Sequence, residues 1–245
     1  MNSAPAPLDR TGLTAALGAY VIWGLMPLYL LLVRSVPAFE FVGWRIIWTL
    51  PLCLLIALLR KQWPELRAAF AHRRTLGWLA LSATLIAVNW VVYVWAIQNG
   101  QVYAASLGYY INPLVNVLLG TMLLGERLTR RQWIAVALAA IGVSLLAAGA
   151  LTTLWISLTL ALSFGSYGLI RKQVAVGAVP GLTIESTLLL LPSFGVALYY
   201  AQTEGSSFAV STELSVAIMA GGAFTAFPLL LFAIAARKLP YSTLG

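Results

Sequence analysis

The sequence predicts an all-α polytopic membrane protein, organised as a ten-span inverted repeat of two five-helix units, with about eight of the spans within its 245 residues. Three observations carry that expectation. Apolar residues make up 61 % of the chain and charged residues 9 %, whereas soluble domains run near half and a quarter. Eight apolar runs are long enough to cross a bilayer. Nearly all the basic residues fall in alternate connectors between those runs.

The runs cover about 13–33, 39–59, 76–97, 103–124, 132–149, 152–170, 182–201 and 214–236. A hydrocarbon core of roughly 30 Å needs about 20 helical residues, so each run can cross once. Nine Trp, ten Tyr and nine Phe suit interfacial anchoring and bulky packing in lipid. The first twelve residues hold Asp9 and Arg10 without a basic segment leading to a small-residue cleavage site, so the first run is expected to stay as a span.

The net charge of +8 is topological in its distribution. Arg10, the set Arg60, Lys61, Arg67, Arg73 and Arg74, the set Arg127, Arg130 and Arg131, the pair Arg171 and Lys172, and the pair Arg237 and Lys238 all fall on one side of an eight-span chain. Only Arg34 lies on the other side, with Arg45 inside a span. The positive-inside rule then places the N-terminus in the cytoplasm. No basic helix or aromatic-basic groove of a nucleic-acid binder is present.

A weak internal repeat sets the expected domain organisation. Trp95-Ala96-Ile97 and Ser106-Leu107-Gly108 have counterparts 137 positions on in Phe232-Ala233-Ile234 and Thr243-Leu244-Gly245. Trp23-Gly24 and Pro51 have theirs 141 positions on in Phe164-Gly165 and Pro192. Residues 1–149 read as one five-helix unit and 150–245 as a second that stops before its last two helices. Five spans per unit would make the units antiparallel, an architecture common among secondary transporters. A complete second unit would need about 40–50 further residues by the length of the first, and an open groove would mark where they sit.

Polar residues inside the spans are the candidate site. Arg45 lies near one end of the second span, where it either snorkels or faces a cavity and attracts a carboxylate. Glu40 is not assumed to pair with it. Glu185, near the start of the seventh span, is a candidate coupling residue, a partner for a basic side chain, or a wet helix-end carboxylate. Asn89, Trp90 and Tyr93 put amide, indole and phenol groups on adjoining flanks of the third span, either lining a pathway or bonding helix to helix. Tyr109, Asn112 and Asn116 follow helical spacing around Pro113 in the fourth span, which makes that span the leading candidate for a pathway wall. Pro27, Pro51, Pro192 and Pro228 are expected to perturb their helices.

No enzyme constellation is present. The chain has no His-Glu-x-x-His, no phosphate-binding Gly-rich loop and no nucleophile elbow. Cys53 is the single cysteine, and no metal or cofactor is expected.

These segments resemble the RarD-type permeases of the EamA family, in the drug/metabolite transporter superfamily. The resemblance rests on Tyr20-Val21-Ile22-Trp23-Gly24 with Pro27 and Tyr29, on Arg45-Ile46-Ile47-Trp48, on Asn89 through Ala96, on Ala105 through Leu114, and on Leu124-Gly125-Glu126. It implies a bacterial inner-membrane permease of ten spans that exports small metabolites or drug-like amphipathic solutes by alternating access. The partners implied are a small-molecule substrate, membrane lipids, a proton or cation gradient and optionally a second copy in a homodimer. Glu126, beside Arg127, Arg130 and Arg131, is expected to close a turn. The competing reading is a non-transporting membrane binding or scaffold protein.

Overall fold

The computed structural model describes residues 9–149 and 151–245. Ten α-helices follow in chain order: α1 (Arg10–Leu30), α2 (Ala38–Leu59), α3 (Trp63–Ala71), α4 (Arg73–Gln98), α5 (Val102–Leu123), α6 (Arg130–Ala148), α7 (Leu154–Gln173), α8 (Ala178–Thr203), α9 (Thr212–Lys238) and α10 (Tyr241–Leu244). No strand occurs among the described residues. All except α3 and α10 are long and apolar enough to span a membrane, which matches the eight runs of the sequence. A bilayer offers no water to satisfy backbone groups, so an apolar crossing segment closes its hydrogen bonds internally as a helix.

The ends of these helices are set locally. Asp9 accepts from the Gly12 N–H at 2.8 Å to cap α1, Thr129 and Gln132 form a capping box at α6, and Ser211 caps α9. Prolines 27, 51, 113, 192 and 228 sit within helices, where each removes one backbone donor. The short α3 lies in a connector that the sequence pattern left without a helix. Pro64 stands in its first turn, and it buries only Leu66 and Ala69 against α4 and α8.

The connectors sort into two ends of the bundle, and cross-links tie each end together. At one end Lys238 meets Asp9 at 3.1 Å, Glu65 accepts from the Gly177 N–H at 2.6 Å and Arg237 donates to the Val176 carbonyl at 2.6 Å. Glu126 accepts from the Tyr241 N–H there, also at 2.6 Å. The basic connectors gather at this end. At the other, Gln98 donates to the Val36 carbonyl and accepts from the Ala38 N–H, while Glu40 binds Ser206 and Ser207.

Packing explains how the bundle closes. α2 lies against α8 and α9, α1 against α9, α4 against α7, and α7 against α5. Small residues permit these approaches: a Cβ on Gly222 would fall 2.5 Å from the Trp48 carbonyl carbon, so α2 and α9 meet backbone to backbone. The largest core cluster runs through Ala15, Ala19, Cys53, Ala57, Ile86, Tyr167, Leu229 and Phe232 towards the basic end. α6 buries none of its own residues and touches α5 alone among its larger contacts; its apolar surface is what a lipid-facing helix presents.

A candidate solute cavity

One cavity of about 1090 Å³ occupies the half of the bundle away from the basic end. Its walls come from the later turns of α1, the first turns of α2, the second half of α4 and the first half of α5, with Phe164 of α7, Leu229 of α9 and Leu244 and Gly245 completing the lining. Arg34, Ser35, Val36, Pro37, Gln98 and Val102 line its end at the connectors opposite the basic end, and Tyr20, Gly24, Pro27, Ser106 and Tyr109 line it along α1 and α5, where they are exposed. That volume is at the upper limit for small-molecule sites.

Arg45 stands in the wall with 5 % of its surface exposed. Its Nε donates to Thr225 Oγ1 at 2.8 Å. The guanidinium carbon lies 4.7 Å from the centroid of the Trp90 ring and 5.8 Å from that of Phe41, which fixes the cation by packing and by the ring quadrupoles. The side chain points into the bundle, so it does not snorkel. Glu40 does not reach it: that carboxylate accepts from Trp44, Ser206 and Ser207 and is fully buried.

Asn89, Tyr93, Tyr109 and Asn112 also line the cavity. Tyr93 and Tyr109 meet edge to face, their centroids 5.7 Å apart. The two asparagines also reach behind the wall. Asn89 Nδ2 donates to the Leu160 carbonyl and to Ser163 Oγ at 2.9 and 3.0 Å, and Asn112 Nδ2 donates to the Ala161 carbonyl at 3.3 Å. They pin α4 and α5 to α7 while keeping polar atoms near the cavity.

Two expected site residues lie elsewhere. Asn116 is fully buried and donates to Asn112 Oδ1 at 3.1 Å; it is absent from the cavity lining. The helical face it shares with Tyr109 turns towards α7 one turn further along, where Gly165 lets the backbones close. Glu185 is also outside the lining. It is no wet helix end, being 1 % exposed, with Oε1 accepting from Ser82 Oγ at 2.5 Å and lying 3.6 Å from Arg171 Nη1.

Arg171 was not anticipated from sequence, because it belongs to an apparent connector. In the structure the last turn of α7 carries it inward, 1 % exposed, where it donates to the carbonyls of Gly177 and Ala178. Elsewhere in the core Trp23, Phe164 and Phe232 pack together, with ring centroids 4.9–5.6 Å apart. Trp23 and Phe164 both line the cavity.

Residues 10–148 match the model of the EamA-like transporter family. The chain belongs to that family. It is 42 % identical to Protein RarD of Streptomyces exfoliatus over 238 residues, 97 % of this chain and 76 % of the relative. It is 46 % identical to an uncharacterized transporter of Pseudomonas aeruginosa over 96 % of this chain and 80 % of the relative. Protein RarD of Escherichia coli is 42 % identical over 98 % and 81 %, respectively. No solved structure matches the chain. With eight apolar spanning helices and these relatives, this is a multi-pass bacterial membrane protein of a transporter family.

Proposed function

We propose that the protein is a secondary transporter that carries a small amphipathic solute across the bacterial inner membrane by alternating access, in the direction of export. The observation that carries this reading is one large cavity with polar and aromatic walls, among them Trp23 and Phe164, whose rings pack on each other and on Phe232. Arg45, Asn89, Trp90, Tyr93, Tyr109 and Asn112 contact the solute. Asn116 supports the wall through Asn112.

With the N-terminus cytoplasmic, the half of the bundle that holds the cavity faces outward and the basic end faces the cytoplasm, as the positive-inside rule expects. Residues 1–149 and 150–245 act as inverted units. Their correspondence is consistent with the element order, since α1, α2, α4 and α5 align in sequence with α7, α8, α9 and α10. It is consistent with the packing too, because α1 lies on α9 as α7 lies on α4. Glu185, held between Arg171 and Ser82 at the closed end, is the coupling residue: neutralising it by a proton or cation would weaken its hold on Arg171 and let the cytoplasmic half part.

The test is uptake into proteoliposomes without ATP, across imposed proton or sodium gradients, with a metabolite mixture read by mass spectrometry. Gradient-driven movement of an amphipathic solute is expected. Folded protein that moves nothing in such a screen would favour a scaffold, a reading that the helix-to-helix bonds of Asn89 and Asn112 also accommodate.

A further inference from the structure

We propose that the cavity selects a monoanion with an aromatic or apolar body, a carboxylate above all, and that the Arg45 guanidinium is its anchor. The proposal rests on the transporter reading for its purpose and on the charge inventory of the cavity for its content.

Among the described residues Arg45 has no counter-ion. Among the same residues the one hydrogen bond of its guanidinium is from Nε to Thr225, and the ion pairs are Arg171–Glu185 and Lys238–Asp9. Its two terminal nitrogens therefore have no protein acceptor. They are also not among the sealed, unpartnered polar atoms, a set that includes Trp48 Nε1 and Arg171 Nε. Terminal nitrogens that lack a partner and are not sealed, on a side chain in the cavity wall, open onto the cavity.

The cavity itself supplies nothing negative. Among the described residues no Asp or Glu is in its lining, and its other charged residue is Arg34. A buried cation without a partner is costly in a low-dielectric site, and an anion entering from water removes that cost. A cationic solute would meet the opposite balance. A zwitterion would leave its ammonium facing rings and carbonyls with no carboxylate to receive it.

Geometry fixes the manner of recognition. Trp90 and Phe41 hold the guanidinium, and Nε is spent on Thr225. What remains are the two terminal NH2 groups, which can turn one N–H each to the two oxygens of a carboxylate. Tyr93 and Tyr109, both in the cavity lining, offer ring faces and edges there. Those surfaces suit a planar apolar body rather than an inorganic ion.

The experiment compares three probes of one shape and different charge: phenylacetate, phenylacetamide and phenethylamine. Binding to purified protein is read by tryptophan fluorescence and calorimetry, and transport by proteoliposome uptake. Phenylacetate should bind more tightly than its amide by about ten- to a hundredfold, the value of charge-assisted hydrogen bonds to a buried partner, with phenethylamine weakest. Arg45→Gln should erase the preference for the anion over the amide. Arg45→Lys, which keeps the charge and loses the fork, should retain a reduced preference. Because the wild-type comparison needs no variant, a variant that does not fold leaves the proposal fully exposed to refutation. Equal binding of acid and amide, stronger binding of the amine, or no binding of any probe at millimolar concentration would overturn the anion assignment. Gradient-driven transport of a neutral or cationic solute in the metabolite screen would leave the transporter reading standing while sinking this one.

Discussion

Arg171 Nη1 lies 3.6 Å from Glu185 Oε1, each side chain 1 % exposed, in a space kept open by Gly181. The pair is buried between α7 and α8, and Ser82 brings α4 to the same point. An ion pair so placed is held by mutual dependence: each charge is tolerable only beside the other.

Removing one member should therefore cost more than removing both. Arg171→Met alone is expected to lose about 3–5 kcal/mol, and the double variant with Glu185→Gln to recover most of it. Thermal unfolding in detergent measures both. A double variant no more stable than the single would show that the cost lies in lost packing and not in the stranded carboxylate.

Coupling makes a separate demand on Glu185. Glu185→Gln keeps the shape and the bond to Ser82 while fixing the neutral state. Net uptake driven by an imposed gradient should then fall at least tenfold, while solute exchange at equal concentrations persists. Gradient response equal to wild type in the folded variant removes Glu185 from the coupling role.

Glu126 ties two distant parts of the chain and should be felt in acid. Burial raises its proton affinity, but the N–H groups of Ser242 and Tyr241, at 2.8 and 2.6 Å, and the charge of Lys172 outweigh that and hold its carboxyl below the ordinary glutamate value. A folded value below the unfolded one means that the contribution is complete above the ordinary glutamate range and disappears as pH falls through the folded value. Because the group is partly open to solvent, the contribution is about 1 kcal/mol. Glu126→Gln should lower the melting temperature at neutral pH and flatten its fall in acid. Parallel melting curves for the two proteins from pH 7 to 3 would contradict this.

Glycine packing yields a paired test. A Cβ on Gly222 would press on backbone atoms of Trp48 and Thr49, 2.5–2.8 Å away, and backbone in a packed helix pair has little room to move. Gly222→Ala should cost about 1–3 kcal/mol. Gly142→Ala on α6 meets nothing within 4 Å and should be neutral or slightly stabilising through helix propensity. Equal melting temperatures for the two variants would show that α2 and α9 are not locked together.

The eight spanning helices were readable from sequence because lipid leaves an apolar run one way to satisfy its backbone, and periodicity is not needed to see it. The clustering of basic connectors was readable for a related reason: alternate connectors of a spanning chain share a side, so charge and parity check each other. Direction within the bundle was less accessible. Tyr109, Asn112 and Asn116 share a helix face by spacing, yet the cavity takes the first two and α7 covers the third. Helix α3 was missed because its nine residues carry only two buried contacts.

Glu126 and Arg171 show the limit most clearly. Glu126 was expected to close its own turn. Its N–H does bond the Gly120 carbonyl, but its carboxylate caps the start of α10, more than a hundred residues away in sequence. Arg171 has the local context of a solvated connector and becomes one of the most buried side chains in the protein. Sequence determined which segments enter the membrane and which end collects positive charge, since both follow from transferring single segments out of water. Only the tertiary structure decided which intramembrane charges are paired. Arg171 found Glu185 and Arg45 found only aromatic rings and a hydroxyl, because a charge's partner is set by what the packed helices bring within a few ångströms of it.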